Sequence, residues 1–95
     1  MTKPGYNILY HQDVVERDIP LLDTPIRLRI KKAVEQKISL HPEIYGLPLR
    51  STLKKLWKLR VGEWRIVYEI KENNVIILAI AHRKDVYKIT EERKE

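Results

Sequence analysis

LWKLRVGEWRIVYEI, running from Leu56 to Ile70, decides the fold. On both sides of Val61-Gly62, apolar and charged residues alternate, which is the pattern of two strands joined by a tight turn. A two-residue turn at Val61-Gly62 pairs Leu59 with Trp64, Trp57 with Ile66 and Lys58 with Arg65. Side chains alternate between sheet faces, so Trp57, Leu59, Trp64, Ile66 and Tyr68 are expected on a core face and Lys58, Arg60 and Arg65 on the other. A second turn at Asn73-Asn74 leads into a third strand, setting Ile66 opposite Ala81, Tyr68 opposite Ala79, Ile70 opposite Ile77 and Arg65 opposite His82. His82 is thereby expected beside Arg65 and Lys58.

The charge distribution follows the same stretch. Between Arg50 and Lys71 there are seven basic residues and two acidic ones, Glu63 and Glu69, so that window holds five of the six formal net positive charges. A Lys58–Arg65 pair would cost a few tenths to about 1 kcal/mol through like-charge repulsion. A polyanion would offset that cost, and cations gathered on one sheet face point to a phosphate ligand.

Composition narrows the remaining classes. A chain of 95 residues reads as one domain over 1–95 with a single modest core. It contains no cysteine, which excludes a disulfide framework, a thiolate nucleophile and cysteine-ligated zinc. His11, His41 and His82 lack metal-ligand spacing, so neither metal nor other cofactor is expected. No apolar run approaches the roughly 20 residues that span a bilayer, and Met1 to Gly5 lacks the apolar segment of a signal peptide. The expectation is a cytoplasmic protein with no membrane partner.

Outward from the hairpin, YNILY (Tyr6 to Tyr10) reads as a strand that joins the meander at an edge. A short helix is expected over 12–19, ended by Pro20. Thr24 is read as an N-cap with Pro25 at the first helical position, opening a longer helix. Ile26, Ile30, Val34 and Ile38, spaced by four and joined by Ala33, form its core stripe. Arg27, Arg29, Lys31, Lys32 and Lys37 lie on its other faces and read as solvated surface. His41-Pro42 stops the helix, a loop covers 43–52, a short helix is expected over 85–90, and 91–95 reads as frayed. The expected fold class is α+β, with helices packed on one face of a twisted antiparallel sheet of about four strands.

The combination L-x-K-L-R-V-G-E-W-R-I-V-Y-E-I with the later H-R-K-D-V-Y resembles the RelE/ParE superfamily of toxins from bacterial and archaeal toxin–antitoxin operons. The P-x-x-x-G-x-P-L segment from Pro42 to Leu49 adds to the likeness, which extends over nearly the whole chain. The resemblance implies a β-α-α-β-β-β fold with a short C-terminal helix, and a cognate antitoxin that wraps the toxin. In the RelE branch the implied activity is cleavage of mRNA in the ribosomal A site. In the ParE branch it is poisoning of DNA gyrase without nuclease activity. A non-catalytic basic module that binds RNA or an acidic partner is the third class, and salt-sensitive binding without cleavage would mark it.

Metal-independent RNA cleavage requires loss of a proton from the 2′-hydroxyl, stabilisation of charge growing on the phosphate, and protonation of the leaving 5′-oxygen. Arg65 and Arg83 suit the second task, since a guanidinium stays charged and grips phosphate with a fork of donors. Lys58, crowded by Arg65 and protonated His82, is expected to offer a neutral amine as general base. Tyr87 can hydrogen-bond to phosphate or stack on a base. These four match the basic and tyrosine positions that carry RelE-type activity, and Arg60, Lys54, Lys55 and His82 are assigned to RNA phosphate contact. The chain departs from the RelE pattern at Leu56, where a second lysine is frequent. Glu63 and His82 form an alternative base and acid pair, set against a turn role for Glu63 and a strand-end hydrogen bond for His82. The RelE-like reading implies mRNA and the ribosome as partners, together with an antitoxin whose acidic, partly disordered segment covers the basic face.

Overall fold

The computed structural model describes residues 5–49 and 55–93. Five strands form one sheet in the order β1-β5-β4-β3-β2, where β1 is Asn7–Tyr10, β2 Leu47–Pro48, β3 Leu56–Val61, β4 Trp64–Lys71 and β5 Asn74–His82. The meander β3-β4-β5 is antiparallel, and β1 takes the expected edge position but runs parallel to β5, making the sheet mixed. The fifth strand is β2, two residues long with a proline, paired to β3 at Trp57 and Lys58.

The N-terminal helices follow from local chemistry. Residues 12–21 are helical, passing from a π-helical turn at Val14–Asp18 into a 3₁₀ turn at Ile19–Leu21, so Pro20 tightens the helix rather than ending it. The longer helix α1, Thr24–Ala33, is capped by Asp23, whose side chain accepts from the Ile26 amide at 3.1 Å, so Thr24 lies inside the helix and is not its cap. It continues as a π-helical turn over Val34–Ile38. Ile30, Ala33, Val34 and Ile38 are buried and Ile26 is half-buried, as the four-residue spacing requires. Pro42 opens a helical turn, α2, Pro42–Tyr45. The last helix, α3, Val86–Arg93, is longer than expected: 91–93 are helical, not frayed.

Helices cover both faces of the sheet, correcting the one-sided expectation. On one face, α1, its continuation and the 12–22 segment pack through Val14, Leu22, Ile30, Val34 and Ile38 onto Leu59, Val61, Ile66, Tyr68, Val75, Ile77 and Ile80. On the other, Val86 of α3 packs with Leu56, Val67, Ala79 and Ala81. Tyr68 is fully buried in the larger core, and Trp57 and Trp64 pack against it from the rim.

Both turns fall one residue later or earlier than the sequence reading placed them. The first turn is Gly62-Glu63, with Gly62 at φ 62°, which pairs Leu59 with Ile66 and Arg60 with Arg65. The second is Glu72-Asn73, with Glu72 at φ 57°. The β3–β4 register therefore moves by two residues, which leaves each side chain on its expected face because the strand repeat is two. The β4–β5 ladder differs in kind. It carries an irregularity beside Val67/Tyr68, so that Tyr68 pairs with Ile77 while Val67 pairs with Ala79. The extra residue reverses the facing of everything after it. His82 consequently pairs with Trp64, and Arg65 faces Ala81.

The bulged strand needs hydrogen-bond partners beyond the end of β1. Asp18 accepts from the Ile80 amide at 2.8 Å, and Arg93 donates to the Leu78 carbonyl at 3.0 Å. These two side chains also pair with each other, at 2.7 and 2.8 Å, in a largely buried bidentate ion pair. The hydrogen bond to Asp18, aided by its charge and that of Asp13, raises the Arg93 pKa against the opposing effect of burial.

Candidate functional site

The expected basic face exists where α3 leaves the second sheet face open. Lys58, Arg60 and Arg65 line a cleft of about 350 Å³ together with Tyr45, Leu47 and Leu59. Alternation along β3 and β4 places the three cations, and β2 with the preceding α2 turn supplies Leu47 and Tyr45. The directly opposed cations are Arg60 and Arg65; Lys58 lies opposite Val67. The crowding argument for Lys58 therefore loses its cross-strand basis, as does His82 beside Arg65.

Two contacts define the geometry of Lys58. Its Nζ donates to the Tyr87 hydroxyl at 2.7 Å and stands 5.3 Å from the centre of that ring. Tyr87 is on the first turn of α3 and is 46% exposed, so the pair is open to a ligand. Arg65 is half-buried and anchored, its Nη1 donating to the carbonyls of Gly62 at 2.9 Å and Trp64 at 3.0 Å. Its remaining nitrogens have no protein partner among the described residues, and neither has the Arg60 guanidinium.

Arg83 is placed differently. Its Nε donates to Glu63 Oε1 at 2.7 Å, and its amide donates to the Glu63 carbonyl at 2.8 Å, tying the end of β5 to the first turn. Arg83's hydrogen bond and charge, joined by the charges of His82 and Arg65, hold the Glu63 carboxyl below the usual carboxylate range. Glu63 is thus a turn residue, and also a clamp that the sequence reading did not assign. His82 has the structural part: its Nδ1 accepts from the Lys84 amide at 3.2 Å and its ring meets Trp64 edge-on at 5.7 Å. Lys55 is exposed just before β3 and outside the cleft lining, and Lys54 lies outside the described residues.

The sequence reading missed Tyr45. Its ring is exposed, lines the same cleft and lies 5.6 Å from the Lys37 Nζ. An aromatic directly before Gly46 in a loop was the available signal. Its neighbour Gly46 is required by packing, since a Cβ there would collide with the Tyr68 hydroxyl. That hydroxyl donates to the Pro42 carbonyl at 2.7 Å, and burial pushes its pKa up to about 12. The α2 turn that carries Tyr45 is in this way pinned to the main core.

No helix among the described residues is long and apolar enough to cross a membrane, and no group of three or more His, Asp or Glu side chains among them could hold a metal.

Known proteins share this arrangement. Residues 7–87 match the family described as ParE toxin of type II toxin-antitoxin system, parDE. Toxin RelG of Mycobacterium tuberculosis is 31% identical over 74 residues, covering 76% of this chain and 85% of its own. Among solved structures, the toxin-antitoxin complex RelBE2 of Mycobacterium tuberculosis contains a chain with TM-score 0.75 and 27% identity, matched over 83% of this chain and 99% of that one. A mutant of the E. coli toxin RelE in the free state shares the fold alone, with TM-score 0.74 at 17% identity over 96% of this chain and 99% of its own. With the family match spanning most of the sequence, and the helix-covered sheet repeated in these relatives, the chain belongs to the RelE/ParE superfamily of type II toxin–antitoxin toxins.

Proposed function

We propose that this toxin is an endoribonuclease that cleaves mRNA in the ribosomal A site and is neutralised by a cognate antitoxin. The observation that carries the reading is the Lys58–Tyr87 contact at 2.7 Å, beside Arg60 and Arg65 in a cleft whose lining contains no carboxylate. Such a cleft attracts a phosphodiester and offers it fixed donors before any reaction begins.

In the proposed reaction a 2′-oxygen gives up its proton and attacks the adjacent phosphorus, and the bond to the 5′-oxygen breaks. The products are a 2′,3′-cyclic phosphate and a 5′-hydroxyl. Arg65, already held by two backbone carbonyls, stabilises the added negative charge on the phosphate oxygens with its remaining donors. Arg60 adds a second positive charge directly across the hairpin. Lys58 and Tyr87 share a hydrogen bond and form the pair through which protons enter and leave. Arg83 joins the phosphate site when Glu63 releases it. Tyr45 offers a ring on which a base can stack.

An antitoxin partner is supported by the similar RelBE2 chain, which was solved as a toxin–antitoxin complex. An acidic segment laid along the same cations would inhibit by occupying the phosphate positions. The second reading, a gyrase-directed toxin, is favoured by the parDE description of the matching family. It makes the Lys58–Tyr87 cleft incidental.

Primer extension on a defined mRNA in a purified translation system separates the two. New ends at the A-site codon with the native chain, reduced on the order of 10²- to 10³-fold in Arg65→Ala, are expected. Intact mRNA with a folded, toxic protein would transfer the assignment to gyrase.

A further inference from the structure

A second basic cleft lies on the other side of β3. It has a volume of about 380 Å³ and is lined by Arg29, Lys32, Gln36 and Lys37 of the long helix and its continuation, with Arg60 and Gly62 opposite. The helix's cations have different fates, and Lys31 lies outside the cleft. Arg27 is consumed in capping, donating to the carbonyls of Ile19 at 3.4 Å and Leu22 at 3.0 Å. Arg29, Lys32 and Lys37 instead converge on the cleft, where no carboxylate is part of the lining. Arg29 and Lys32, like Arg60, have no carboxylate within 4 Å among the described residues.

Arg29 is seated by the hairpin itself. Its guanidinium lies so close to the first turn that a Cβ on Gly62 would come within 3.2 Å of both terminal nitrogens. Gly62 is required by the positive φ of the turn, and the Arg29 guanidinium packs closely over it. The three helix cations, with Arg60 at the cleft's rim and no acid in the lining, repel one another, and an anion in the cleft relieves that repulsion.

Arg60 also lines the first cleft. Among the described residues β2 pairs with β3 only at Trp57 and Lys58, so none of their strands covers the outer edge of β3 at Arg60. The two clefts thus share one residue, at the edge of the sheet. We propose that the cleft formed by Arg29, Lys32, Lys37 and Arg60 is a second phosphodiester-binding subsite, holding the nucleic-acid backbone that continues past the Lys58–Arg65 cleft. The inference rests on the ribonuclease reading for the identity of the first cleft. Continuity through Arg60 favours an RNA backbone over an acidic peptide, because adjoining cationic clefts suit a ligand with a charge at every repeat.

The test uses the full chain and 2′-O-methyl RNA, which lacks the attacking hydroxyl and is not consumed. Two lengths are compared, about 3 and about 12 nucleotides, below and within the usual range of single-strand site sizes. Arg29→Gln combined with Lys32→Gln is expected to weaken binding of the longer RNA and to lower its salt slope by about 1.4, at roughly 0.7 per lost phosphate contact. Binding of the shorter RNA is expected to stay unchanged. Lys31→Gln with Lys71→Gln, which removes the same charge outside both clefts, should lower the slope much less. The same variants are titrated against small ribosomal subunits. A specific loss with the long oligonucleotide supports the subsite, whereas a specific loss with the subunits alone overturns it and assigns the cleft to structural RNA. An unchanged slope on both RNAs overturns it, as does a loss seen only with poly-glutamate as probe. Lys58→Ala, which should weaken binding of both oligonucleotides, tests the first cleft separately, so failure of the ribonuclease reading and failure of this subsite give different results.

Discussion

Two arginine–carboxylate pairs, chemically alike, hold the last third of the chain in place. Arg93 meets Asp18 with side chains only 9% and 5% exposed, and both also satisfy backbone groups of the bulged β5. Arg83 meets Glu63 at the same 2.7 Å, with side chains 52% and 64% exposed. In the first pair each ion is committed, since removing one strands the other away from water. In the second, water can replace either partner at little cost. Burial makes one pair architectural and leaves the other releasable, and the releasable one holds a cation of the proposed site.

The comparison breaks most sharply at Arg93. Arg93→Ala is expected to destabilise the fold by about 3–5 kcal/mol, the usual cost of leaving a buried charge without its partner, measured by denaturant unfolding. Asp18→Leu combined with Arg93→Met should recover only part of that loss, because neither ion then remains unpaired but the Ile80 amide and Leu78 carbonyl lose their partners. A single Arg93→Ala variant as stable as the native chain would show that the pair holds nothing.

Tyr68 gives an intermediate test of burial without charge. Its pKa in the folded state is raised from the ordinary value of 10.0 to about 12. The neutral phenol is favoured by folding, so its contribution is fully present below pH 10 and is lost as the pH rises through 12. Alkaline unfolding followed between these values should lose its steepest part in Tyr68→Phe, measured relative to that variant's own stability at neutral pH.

The smallest effect on stability is expected at Glu63. Glu63→Gln should leave the thermal midpoint where it is, yet strengthen RNA binding by freeing Arg83. Acid should act in the same direction. The folded-state pKa of Glu63 is depressed, so the contribution of the pair is present above the unfolded carboxylate value and lost as the pH falls through the lower folded one. RNA affinity of the native chain should therefore gain more on acidification than that of Glu63→Gln. Equal gains would show that Arg83 is not held in reserve.

The fold was legible where a periodicity recorded it. Ile26, Ile30, Val34 and Ile38 announce a helix face, and the alternation around Trp57 and Ile66 separates core from basic face even though the first turn is one residue away from the expected place. A two-residue error of register preserves a period of two. The bulge in β5 adds one residue, and a one-residue shift has no such protection, which is why His82 was expected beside Arg65 and sits against Trp64. Nothing local announces it, because its stabilising partners, Asp18 and Arg93, lie far away in sequence. The same holds for β2, whose two residues are too few for any alternation to show. Among the candidate site residues, Lys58, Arg60 and Arg65 could be grouped from strand parity alone. The Lys58–Tyr87 contact, the Glu63 clamp on Arg83 and the seating of Arg29 over Gly62 depend on tertiary packing.

The edge strand carries one further consequence, for the order in which the molecule assembles. Asn7 pairs with Asn74 across 67 residues, whereas β3, β4 and β5 are joined by two-residue turns. Loop closure costs the long connection more entropy than the short ones. The meander is therefore expected to form in the folding transition state, with Arg60 and Arg65 already opposed, and β1 to dock afterwards. Substitutions in β4 should slow folding, while those in β1 should chiefly speed unfolding. Polyanions in the refolding buffer should accelerate the first step by screening the cations that it brings together.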